Sequence, residues 1–163
     1  MERFLDLAQH LADLLEGKQV PLPGELQEVC TRTIMSRAYY GALHTVAPIM
    51  DVDISRSDEP HTAIKEKILY FCDRGLTNPD RKIQDTSRQL RRRWIKLYGC
   101  RIFADYYADK VKFRHRGEQL GREVGLSRVE DILEDWQGDP ARSVKMARRS
   151  IEDIRFLKSA SPG

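Results

Sequence analysis

The chain has 163 residues, 40% hydrophobic and 33% charged, with 28 Lys/Arg against 25 Asp/Glu. That length suits one domain over residues 1–158, and the charge density, with no run near the ~18 apolar residues that a span needs, excludes a membrane helix. Three scattered cysteines (Cys30, Cys72, Cys100) exclude a disulfide framework and a cysteine zinc site, and Glu2, Arg3 and Asp6 argue against a cleaved leader, which together suit the cytoplasm.

Apolar residues recur at helical spacing through most of the chain. Phe4, Leu5, Leu7, Ala8, Leu11, Ala12, Leu14 and Leu15 form one stripe, with Gly17 as its stop and residues 18–24 as a connector. A second helix is predicted from Glu25 to the Pro48 region, carrying Leu26, Val29, Cys30, Ile34, Ala38 and Leu43. Residues 51–59 are turn-like, and Ser57 or Asp58 is the expected cap of a third helix that has Pro60 in its first turn and ends at Gly75. Asn78-Pro79 is expected to cap a long fourth helix whose period is marked by Leu90, Trp94, Leu97, Tyr98, Arg101, Ile102 and Tyr106. Its first half is polar enough to suggest two pieces or a projection from the core.

A loop is expected around residues 117–125, then a short helix from the capping box Ser127-x-x-Glu130 to near Trp136. Asp139-Pro140 starts the last helix, with Val144, Ala147, Ile151, Ile154 and Leu157 on one side and a disordered tail over 159–163. Strand signals are weak. The expected fold is all-α, an up-and-down bundle of four to six helices.

The small net charge of +3 conceals a division. Residues 1–80 carry 8 basic and 13 acidic side chains, residues 81–122 carry 13 and 4, and residues 123–163 carry 7 and 8. The basic middle reads either as the solvated face of a helix or as a localised anion site.

Phosphate-loop, dinucleotide, zinc-protease and EF-hand motifs are missing, and the four histidines lack metal-ligand spacing, so neither a metal nor another cofactor is expected. Within Ser-Arg-Ala-Tyr-Tyr-Gly-Ala-Leu-His (36–44), Arg37 and His44 share a helix face about 10 Å apart, within reach of one phosphate. Ordinary packing would use Tyr39 and Tyr40 between helices and pair Arg37 with a carboxylate. In the later stretch 97–106, Arg101 and Asp105 stand at i, i+4, either as a surface ion pair or with the carboxylate orienting the guanidinium toward a phosphate. Arg88, Arg91, Arg92, Arg93, Lys96, Lys112, Arg114 and Arg116 supply backbone-binding charge, interleaved with Trp94, Tyr98, Tyr106 and Tyr107.

Residues 36–44, followed by Leu-Tyr-x-x-Arg-x-x-Ala-Asp-Tyr (97–106), resemble the HEPN superfamily, and more narrowly its small stand-alone prokaryotic members. Pro60-His61 at a helix start is similar to a recurrent feature of that group, and the resemblance spans about residues 25–157. It implies a homodimeric helical bundle, a metal-independent ribonuclease of toxin–antitoxin or antiviral defence type, and a nucleotidyltransferase-fold antitoxin as partner. Catalytic members place a histidine four to six residues beyond an arginine on the later helix. The arginine would stabilise the phosphorane, and the histidine would transfer a proton during attack by the RNA 2′-hydroxyl. Here Arg101 is followed by Asp105 and Tyr106, while the six-residue gap occurs between Arg37 and His44. The resemblance therefore assigns Arg37, His44 and Arg101 to the scissile phosphate, with Asp105 and Tyr106 orienting them. A non-catalytic HEPN module that binds a nucleotide or nucleic acid, or serves as an adaptor, is the alternative.

Overall fold

The computed structural model describes residues 3–16, 23–55, 59–106 and 139–160, without the side chains of Gly24, Glu25, Phe103, Tyr106 and Pro140. The fold is all-α. Among the described residues there are five helices: α1 (Arg3–Glu16), α2 (Gly24–Ile49), α3 (Pro60–Leu76), α4 (Arg81–Tyr106) and α5 (Pro140–Ala160). None is long and apolar enough to cross a membrane.

The helices assemble because each carries one buried stripe. Leu5, Ala8 and Ala12 of α1 meet the buried Ile34, Ala38, Ala42 and Val46 side of α2 in one continuous core. Gly41 permits that approach, since a Cβ there would lie 2.7 Å from Leu5 Cγ. Helix α2 also packs on α4 and α5, whereas α3 packs chiefly on α4.

The polar first half of α4 belongs to this core as part of one unbroken helix. Ile83, Ser87, Leu90, Trp94, Leu97 and Arg101 are all buried and recur every three or four residues. Its exposed positions account for the polarity seen in the sequence.

Several boundaries differ from expectation. The residue before α3 is Glu59, which makes no side-chain capping bond, and Pro60 takes the first helical position. The expected caps Ser57 and Asp58 lie outside the described residues. Helix α4 starts two residues after Pro79, because Asp80 Oδ1 accepts from Lys82 N at 2.7 Å while Asn78 Oδ1 accepts from Asp80 N at 2.9 Å. Ser159 and Ala160, expected in the tail, are the last residues of α5. Pro48 falls in the final turn of α2. There Val52 N donates to Ala47 O at 2.9 Å and Asp51 sits at φ 55°, a left-handed helix stop built on aspartate in place of glycine. Gly17, the loop at 117–125 and the helix from Ser127 to Trp136 lie outside the described residues.

Candidate functional site

The buried stripe of α4 places Arg101 against α2 and α3, where an ionic side chain needs partners. Its side chain is 7% exposed, and Nε lies 3.0 Å from Asp105 Oδ2, one turn later. Arg101 Nη2 reaches Tyr40 Oη of α2 at 3.3 Å and His61 Nε2 of α3 at 3.3 Å. The guanidinium carbon also stands 5.8 Å from the centre of the Tyr40 ring.

His61 is held from both sides. Its Nδ1 is 3.3 Å from Tyr39 Oη, and its ring packs on Tyr39 and edge-on against Tyr40. A guanidinium only donates, so Nε2 must accept from Arg101, and Nδ1 carries the proton and donates to Tyr39. His61 is therefore the neutral imidazole. Its pKa is lowered from the ordinary 6.5, first by burial and then by the adjacent Arg101 charge; Asp105 opposes the shift and His44 adds to it. Burial likewise holds the Tyr39 hydroxyl well above its usual range, with Arg101 working the other way. The result is a cation, a proton acceptor and two hydroxyls converging from three helices.

The structure brings together only part of the expected site. Arg101 and Asp105 are joined as the i, i+4 spacing suggests. Arg37 and His44, expected to share a phosphate, both lean on Phe4 of α1, with the Arg37 guanidinium 5.5 Å from the ring centre and the His44 ring stacked at 5.6 Å. The first helix supplies an aromatic ring for that face, which the spacing within α2 could not reveal. Arg37 also lines a groove of about 310 Å³ with Arg32, Ser36 and Asp105, on the flank of the Arg101 cluster. Tyr106 ends α4.

The basic run on α4 divides by helix face. Arg91 pairs with Asp73 of α3 and Arg93 with Asp153 of α5, so both tie α4 to its neighbours rather than standing ready for RNA. Arg88 pairs with Asp85 at 2.8 Å on the surface, Arg92 is exposed and Lys96 is half-buried. Lys112, Arg114 and Arg116 lie outside the described residues. Among the described residues no group of three or more His, Cys, Asp and Glu side chains is placed to hold a metal ion.

Sequence reasoning passed over Tyr40 and His61 as site residues. Tyr40 lies in the 36–44 stretch, where it reads as a packing aromatic, and Pro60-His61 at a helix start is the local signal for His61, whose contact with Arg101 spans 40 residues. No family model, curated protein or solved structure matches the chain.

Proposed function

We propose that this protein is a HEPN-type ribonuclease of the toxin or defence kind, acting as a homodimer, in which Arg101 and His61 perform metal-independent RNA cleavage. The observation that supports this reading is the 3.3 Å contact between the Arg101 guanidinium and a neutral His61 imidazole, with Tyr40 and Asp105 holding the arginine. His61 thus takes the part that the sequence reading gave to His44.

A phosphodiester entering the cluster draws the Arg101 fork onto its oxygens, which frees the Nε2 lone pair of His61. The 2′-hydroxyl gives its proton to Nε2 as the 2′-oxygen–phosphorus bond forms and the bond to the 5′ oxygen breaks. Arg101 stabilises the charge of the phosphorane. The departing 5′ oxygen takes a proton from water, and the imidazolium returns its own to solvent, leaving a 2′,3′-cyclic phosphate and a 5′-hydroxyl. Arg37 in the adjoining groove holds the flanking backbone, beside Arg32, which is paired with Glu28 at 2.8 Å.

The reading is tested by incubating purified protein with single-stranded RNA in a chelator. Cyclic-phosphate ends that vanish in Arg101→Ala and His61→Ala support it. Intact RNA counts against it.

One observation favours a second reading, a non-catalytic module that binds RNA or a nucleotide: Arg101 is almost wholly covered and already engaged. RNA retained without cleavage, and released by Arg101→Ala, would decide for it.

A further inference from the structure

Two groups hold the imidazole of His61, one at each nitrogen. Arg101 Nη2 stands 3.3 Å from Nε2, and the Tyr39 hydroxyl stands 3.3 Å from Nδ1. The two contacts differ in permanence. Arg101 also engages Tyr40 and Asp105, and its fork turns to the oxygens of an arriving phosphate. The hold on Nε2 is then released, and only the contact at Nδ1 remains.

Tyr39 is fixed by packing. It lies on the buried side of α2 with no exposed surface. Its ring meets Tyr40 edge-on at 5.8 Å and lies 6.0 Å from both Trp94 and Tyr98 of α4. The His61 ring closes the remaining side at 5.6 Å. A side chain so enclosed in a dense interior keeps one rotamer, so its oxygen is a stationary acceptor. Burial raises the Tyr39 pKa well above its usual range, against the pull of Arg101, so the group stays a neutral hydroxyl.

We infer that Tyr39 is a positioning residue for His61: its oxygen accepts from Nδ1–H and keeps the Nε2 lone pair available after Arg101 has moved to the phosphate. This role rests on the cleavage reading above. Nε2 takes the proton of the 2′-hydroxyl while the Nδ1–H bond stays intact, so the imidazolium donates to Tyr39 and no proton passes to the phenol. Tyr39 touches no reacting atom. Without its hydroxyl, the neutral imidazole has a buried Nδ1–H that lacks its acceptor. A shift of that proton to Nε2 then becomes competitive and removes the base.

The test reads the His61 tautomer directly, by nitrogen-15 NMR of the whole protein without RNA at about pH 7.5, above the ordinary histidine pKa. The His61 signals are the pair missing from His61→Gln. The wild type is expected to show a protonated Nδ1 and a lone-pair Nε2. Tyr39→Phe keeps the ring and its packing, and is expected to bring the two nitrogen shifts closer together as the second tautomer fills. Tyr98→Phe removes a hydroxyl from the same aromatic group and is expected to leave both shifts as in the wild type. In the RNA cleavage assay, Tyr39→Phe is expected to lower kcat about tenfold with KM unchanged, and to add no further loss to His61→Ala. A proton on Nε2 in the wild type, wild-type shifts in Tyr39→Phe, or an undiminished kcat would each overturn the inference. Intact RNA with the wild type would overturn the cleavage reading, and the NMR comparison would still decide whether Tyr39 holds the imidazole.

Discussion

Arg101 Nη2 and His61 Nε2 stand 3.3 Å apart, although 40 residues separate them in the chain. That contact fixes the protonation of both groups. The guanidinium stays charged and donates, so the imidazole must be neutral and must accept. A protonated His61 would turn an N–H toward Arg101 and set two cations side by side.

The same contact gives stability a pH dependence. His61 titrates below its ordinary 6.5 in the folded protein because of burial and Arg101. As pH falls through about 6.5 the unfolded chain takes up a proton that the folded chain does not. The contribution is therefore complete above 6.5 and is lost as pH falls through the folded value. Urea midpoints measured from about pH 7.5 to 5 should drop for the wild type and flatten for His61→Gln. An equal slope in both proteins would reject the assignment.

The basic run should separate into structural and surface members. Burial raises the Asp153 carboxyl above its ordinary 3.8 in spite of Arg93, so the buried carboxylate depends on that partner. Arg93→Ala is expected to cost about 2 kcal/mol, tempered because Arg149 still stands 3.7 Å from Asp153. Arg88→Ala, whose pair with Asp85 is exposed, should change stability by less than about 0.5 kcal/mol. Chemical denaturation of the two variants side by side checks this.

RNA binding should follow the other division. Reversing charge at Arg92 and Arg37 is expected to weaken RNA retention and flatten its salt dependence while leaving the fold intact. Filter binding at two ionic strengths reads the effect, and retention equal to wild type would remove both residues from the interface.

The approach of α3 to α4 at Gly75 is a packing prediction. A methyl group there would meet Ser87 Oγ at 2.0 Å and Ser87 Cβ at 2.9 Å. Gly75→Ala should therefore destabilise by about 1–3 kcal/mol. Ser87→Gly in the same chain should recover much of that loss, which a double-mutant cycle measures.

The helices were legible in the sequence because burial writes its period into residue type. The stripe from Leu90 through Trp94 and Leu97 to Arg101 is legible in the sequence, and the structure extends it back to Ser87 and Ile83. The caps were less legible: Asp80 takes the role expected of Asn78, because neighbouring short polar side chains compete for the same backbone donors. The site was half legible. Arg101 and Asp105 meet through spacing within one helix, but His61 and Tyr40 arrive from other helices. Spacing puts Arg37 and His44 on one face of α2, and both pack on Phe4 of α1, a neighbour that the spacing within α2 does not show.

The most direct test of the account is a chelator-treated RNA cleavage assay comparing wild type, His61→Ala and His44→Ala. The account predicts cyclic-phosphate products from the wild type and from His44→Ala, with His61→Ala slower by at least about 100-fold. Intact RNA with the wild type, or equal cleavage by His61→Ala, would contradict it.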